Sequence, residues 1–261
     1  MKTPILITAV SSALFMSTTA WASEHYYRFE PGAEAANEVG DVDLADTPAT
    51  TDELGSIPAE IPQTGADNTQ AADGPAQTAP IPGVVTDQQS LTVEAMFVAP
   101  EPGTTSQFPL VTQWNLGENS VFRFLLQPAG DGADGETLNG ETHRLVLVMR
   151  QRDGLVIRPN SDRNGANADD LTLVPGKAYY AAVVFDNAAD EITFFVRDLE
   201  TSELRSKTTP QQFGRWEQDV DTPLNIGTSS LDAPDLNAVI DEVRVTPRAL
   251  TESELLISDA E

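Results

Sequence analysis

The chain has 261 residues, with 15 lysines and arginines against 41 aspartates and glutamates, two histidines and no cysteine. The missing cysteine excludes thiol catalysis, zinc–thiolate sites and disulfide staples. A formal charge of −26 argues against nucleic acid or an anionic membrane surface as a partner, because both repel so acidic a chain.

The first residues read as an export signal. Lys2 supplies a positive start, Ile5 to Met16 an apolar run, and Ala20-Trp21-Ala22 small side chains at the two positions a signal peptidase inspects. Cleavage after Ala22 and a secreted or periplasmic product are expected. The run is shorter than the roughly 20 apolar residues that span a bilayer, and Ser11, Ser12, Ser17, Thr18 and Thr19 dilute it, so no membrane insertion is expected. Removing it takes away one charge, Lys2, and leaves 14 basic and 41 acidic residues, a formal charge of −27. Residues 23–261, about 240 in number, are enough for one β-sandwich domain with its own core.

Residues 25–30, HYYRFE, form an aromatic strand candidate. From Glu30 to Met96 there is no Phe, Tyr or Trp, while Pro, Gly, Ala, Asp and Thr abound. Segment 31–88 therefore reads either as a linker or as a long irregular excursion laid over the sandwich by Leu54, Ile57, Ile61 and Ile81. Strand candidates follow at 90–98, 110–115, 120–128, 142–151, 155–158, 171–174, 178–186, 191–198, 224–227 and 238–246. Asp153-Gly154 reads as a tight hairpin, Asn187 to Asp190 as a four-residue hairpin loop and Pro175-Gly176 as a turn. Helical periodicity is nearly absent before Leu250, where a short C-terminal helix is expected. The fold class is all-β, an antiparallel two-sheet sandwich or jelly roll.

Four motifs carry a family resemblance. SLTVEAMFVAP (90–100) sets Glu94 among hydrophobic residues, with Met96 where the family usually has Trp. LTLVPGKAYYAAVVFDNAADEITFFVRD (171–198) reads as a central hairpin, PLNIGTSS (223–230) as a penultimate strand, and VIDEVRVTPRALTESELL (239–256) as a closing strand with an acidic tail. In this order they resemble a laminin-G-like jelly-roll domain of the concanavalin A-like superfamily. The resemblance implies first and last strands side by side. It also implies a structural calcium held by Asp241, with Glu30 and backbone oxygens around Gly32 as partners. Calcium takes six to eight oxygens, and a buried carboxylate needs a partner. The other reading has Asp241 accepting backbone hydrogen bonds and Glu30 solvated. Simple alternation puts Asp241 and Glu242 on opposite faces of the closing strand.

Six of the 14 mature basic residues, Arg123, Arg144, Arg150, Arg152, Arg158 and Arg163, fall within 41 positions of the sequence. Arg144, Arg150 and Arg152 share strand parity and so one sheet face. With Tyr179 or Trp114 as a stacking platform, they offer guanidinium forks to the carboxylates or sulfates of an anionic glycan. The alternative is plain neutralisation of an acidic surface. Two polar loops, at 130–141 and 160–170, read as solvated hairpin ends or a ligand rim.

No catalytic constellation stands out. A Ser–His–Asp triad would have to rest on His143. The nearest string to a glucanase Glu-x-Asp-x-x-Glu, beginning at Glu217, ends in Thr222. The expectation is an exported, non-catalytic module that binds a glycan or an extracellular surface. A polysaccharide lyase or glycoside hydrolase, and a cell-envelope structural protein without a small ligand, remain as alternatives.

Overall fold

The computed structural model describes residues 24–40, 42–101, 107–115, 120–130, 138–161, 171–201, 203–216, 221–228, 236 and 238–258, without the side chains of 130 and 138–141. The export signal, Arg163 and most of both polar loops lie outside them. The strands in chain order are β1 (His25–Tyr27), β2 (Thr50–Thr51), β3 (Glu60–Ile61), β4 (Ala66–Asp67), β5 (Ala71–Asp73), β6 (Ala76–Pro82), β7 (Leu91–Val98) and β8 (Phe108–Trp114). They continue with β9 (Ser120–Gly130), β10 (Leu138–Arg150), β11 (Val156–Ile157), β12 (Ala178–Asp186), β13 (Glu191–Asp198), β14 (Leu204–Pro210), β15 (Asp221–Ile226) and β16 (Val239–Thr246).

Two antiparallel sheets stack face to face. The eight-stranded sheet runs β14-β13-β12-β7-β16-β5-β2, with β1 also paired to β16; the six-stranded sheet runs β11-β10-β9-β8-β15-β6. Tyr27 pairs with Val243, so the first strand lies beside the last, as the resemblance implies. Between the sheets sits a core that includes Tyr27, Phe97, Phe122, Phe124, Phe185 and Trp216. Asp153-Gly154 makes the predicted hairpin, pairing Arg150 with Val156, with Gly154 at φ 84° where a side chain would be strained. The C-terminal helix shrinks to a single 3-10 turn, Glu252–Glu254. Among the described residues, no helix is long and apolar enough to cross a membrane.

Three expectations need correction. Segment 31–88 is not irregular throughout: β5 and β6 complete the two sheets, and β2 extends one of them. They are short and lack aromatic residues, so composition hid them. β14, in the polar stretch LRSKTTP, is an edge strand with one half-exposed face and carries little hydrophobic signal. Finally, β16 does not alternate cleanly. Met96 of β7 pairs with Asp241 and Glu94 with Arg244, so three residues of β16 span two of β7. Glu242 takes up the extra residue at φ 45°. Such a bulge resets parity. Ile240, Val243 and Val245 enter the core, while Asp241, Glu242 and Arg244 all face outward.

The two outer faces then differ. Ile57 and Ile61 from the excursion and Leu250, Leu255, Leu256 and Ile257 from the tail cover the eight-stranded sheet over Tyr26, Met96, Tyr180 and Phe195. On the six-stranded sheet, the second outer cluster is only Trp114, Leu125, Val146 and Val148, with Val156 at its margin.

Candidate functional site

The outer face of the six-stranded sheet is built by register. Val148 of β10 pairs with Arg123 of β9, Arg123 with Thr112 of β8, and Thr112 with Asn225 of β15. Flanking pairs are Val146 with Leu125 and Arg144 with Gln127. Beyond Arg150, the chain turns back so that Val156 opposes it and Asn160 bridges Val146, which carries Arg158 along the same edge. The result is a buried apolar cluster of Leu125, Val146 and Val148, with Val156 at its half-exposed margin and four arginines around it.

Arg123 is the most constrained of them. It is 8% exposed, its guanidinium carbon lies 5.9 Å from the Trp114 ring centroid, and its Nη2 donates to Gln107 Oε1 at 3.3 Å. Burial and the nearby Arg158 both push its pKa down. Nε of Arg123 and Nε of Arg150 are buried without a hydrogen-bond partner. Arg144 Nη2 donates to Gln127 Oε1 at 3.1 Å.

Sequence parity places Arg144 and Arg150 together on this face, and the structure does the same. Arg152 does not join them. β10 ends at Arg150, and Arg152 sits in the turn, its backbone N–H donating to the Arg215 carbonyl at 2.8 Å. It lines a cleft of about 410 Å³ at the end of the sandwich with Gln151, Asp153, Gly214 and Arg215. Trp114 is present but largely covered, at 8% exposure. Tyr179 is no platform. It is 2% exposed in the core between the sheets, its hydroxyl accepting the Val174 N–H at 2.9 Å. Arg123 and Arg158 complete the ring; the alternation Arg123, Leu125, Gln127 in the sequence was the signal for the first.

The residues expected to hold calcium lie on the covered sheet. Asp241 is fully buried and its Oδ2 accepts from Asn68 Nδ2 at 2.8 Å. Burial, with the Glu242 charge beside it, raises its pKa well above the usual carboxylate range. The bulge that turns both carboxylates outward is the reason they interact. Glu242, raised to about 7 by burial, accepts the Tyr26 hydroxyl and Arg28 Nε. Glu30 is engaged elsewhere: it accepts the Thr69 N–H at 2.9 Å and the Thr69 hydroxyl at 2.6 Å. No described hydrogen bond or ion pair links Gly32 to Asp241, and among the described residues no three His, Asp or Glu side chains are grouped to hold a metal. Asp241 Oδ1, Asn68 Oδ1 and Gln70 Oε1 are all buried without a partner, and Gln70 immediately precedes β5, whose Ala72 pairs with Ile240. Carboxylate and amide oxygens are the ligands calcium takes.

The covered sheet also holds Glu94, fully buried, which accepts Tyr180 Oη at 2.6 Å, Leu256 N at 2.9 Å and Arg244 Nε at 2.5 Å. This is an anchor for the tail. It has no access to a substrate.

Residues 71–256 match the family model Laminin_G_3, described as the concanavalin A-like lectin/glucanases superfamily. No curated protein matches the chain. Among solved structures, the enzymatically active domain of bacteriophage CBA120 tailspike protein 2 aligns with a TM-score of 0.54 and 14% identity, covering 88% of this chain and 31% of that one. Domain 4 of AbnA, an extracellular GH43 arabinanase of Geobacillus stearothermophilus in complex with arabinotriose, aligns with a TM-score of 0.51 and 16% identity over 90% of this chain and 96% of that one. This chain thus spans under a third of the tailspike domain and nearly all of the arabinanase domain. At these identities the likeness is one of fold.

Proposed function

From a chain that belongs to the Laminin_G_3 family of the concanavalin A-like lectin/glucanase superfamily, we propose a non-catalytic binding module that acts outside the cytoplasm and recognises a glycan through its six-stranded sheet. One observation carries the reading: the eight-stranded sheet is capped by the chain's own excursion and tail, while on the outer face of the six-stranded sheet a small apolar cluster is surrounded by arginines that meet no described carboxylate. Apolar floors with a few placed polar groups are how small-molecule sites are generally built. The arabinotriose complex of the AbnA domain supports a sugar as the ligand class. A lyase or hydrolase on this face needs a proton-transfer pair, and among the described residues none of Arg123, Arg150 and Arg158 meets a carboxylate.

A glycan array read with the intact chain tests the proposal. Binding is expected, reduced in Val156→Asp and Arg144→Gln variants, which alter half-exposed positions of this face and leave its buried residues in place. Binding unchanged in both moves the site elsewhere, and release of reducing ends or unsaturated uronates replaces the module with an enzyme.

We also propose that calcium binds on the covered sheet, through Asp241, Asn68 and Gln70. Its role there is structural. The ion would supply the positive charge that three buried oxygens lack, and would tie the excursion to β16.

A further inference from the structure

We infer that the outer face of the six-stranded sheet takes an acidic glycan, a polymer with carboxylates or sulfates along its length, whose acid groups are held by Arg123, Arg150 and Arg158. This rests on the glycan-binding reading and adds the ligand's charge to it. Cations in proteins are seldom buried unless paired. The chain has 41 acidic residues to pair them with, and on the other sheet it does so: Arg244 reaches Glu94, Arg28 reaches Glu242, and Lys177 reaches Asp198 and Glu200. Among the described residues, Arg123, Arg150 and Arg158 reach no carboxylate. Among the described residues, burial without a carboxylate partner thus falls on Arg123 and on Nε of Arg150, both on this face, in a molecule that has carboxylates to spare.

The arrangement suits an extended polymer better than one charged sugar. Arg144 and Arg150 lie six residues apart on β10, about 20 Å at the rise of a strand. Arg123 and Arg158 flank Val148 between those levels. A guanidinium offers two parallel N–H donors to one carboxylate or sulfate, which a neutral hydroxyl cannot match. Trp114 fixes the Arg123 guanidinium, so less entropy is lost when an acid group docks. The valines and Leu125 lower the local dielectric under the charges, which strengthens each ion pair. The negative charge on the rest of the molecule, screened beyond about 10 Å, confines a polyanion to this strip.

The test is equilibrium binding of the full chain to three polymers: a polyuronate, a sulfated galactan and a neutral glucan. The expected result is binding of one or both acidic polymers, weakened about tenfold by Arg150→Gln and further by Arg158→Gln, and weakened by added salt. Which polymer binds separates carboxylate from sulfate. Arg158 is exposed, so its variant keeps the fold, and unchanged melting temperatures verify both proteins. Neutral glucan bound alone, insensitive to salt, overturns the acidic ligand and leaves the glycan reading standing. Acidic polymer bound equally by both variants overturns the arginine assignment. No binding to any of the three, with an array also blank, removes the glycan reading itself.

Discussion

Arg244 on the covered sheet is bonded on two sides, to the buried Glu94 carboxylate and to the Glu254 carbonyl at 2.6 Å. Arg123 on the six-stranded sheet is buried as deeply and has a tryptophan ring and an amide for company. The first arrangement closes the structure: its donors are spent on the protein's own tail. The second leaves donors to spend on something else. Comparable burial with unlike partners separates the cation that closes the structure from the one proposed for recognition, and sequence position alone would not have told them apart.

The comparison breaks most visibly at Glu94. Glu94→Gln keeps the shape but leaves Arg244 buried without its counter-charge, and a loss of about 3–5 kcal/mol is expected in denaturant unfolding. A loss under about 1 kcal/mol would mean the tail is not held by this pair.

Calcium comes next. At a hundredfold excess over its dissociation constant, it should stabilise the protein by about 2.7 kcal/mol relative to chelator, and Asp241→Asn should abolish most of the response. Equal melting temperatures with ion and with chelator would sink the assignment.

His143 gives a pH-dependent effect. Its Nε2–H donates to the Pro100 carbonyl at 2.8 Å, its Nδ1 is buried without a partner, and burial lowers its pKa. The unfolded chain takes up this proton near pH 6.5 and the folded one only at lower pH. The contribution is thus complete above about pH 6.5 and is lost as pH falls from there through the depressed value. His143→Gln should flatten that part of the melting-temperature profile.

The smallest effect is expected on the outer face of the six-stranded sheet. Arg150→Gln should change stability by no more than about 0.5 kcal/mol, because its Nε has no partner to lose. A large destabilisation would make Arg150 a structural residue and erase the contrast between the faces.

Much of this was legible in the sequence, for physical reasons that also mark where legibility ends. Arg144 and Arg150 could be placed on one face because Val146 and Val148 lie between them in a regular strand. Tyr179 could not: β12 is buried on both sides from Ala178 to Phe185, so alternation says nothing about which side faces the core. Asp241 and Glu242 were assigned to opposite faces because nothing in IDEVRV announces a bulge; a glycine there would have, but the left-handed position is occupied by Glu242. Asn68 and Gln70 lie in a polar segment whose short strands give no periodic signal, so the hydrogen bond from Asn68 to Asp241 emerged only with the pairing of β5 and β16.

The pairing of β1 with β16 has a kinetic consequence. Tyr26 and Glu242 are 216 positions apart, whereas β12 and β13 meet across a four-residue turn. Loop-closure entropy favours the local hairpin first and the union of the two ends last. Substitutions at the Tyr26–Glu242 contact should therefore hasten unfolding while leaving the refolding rate nearly unchanged.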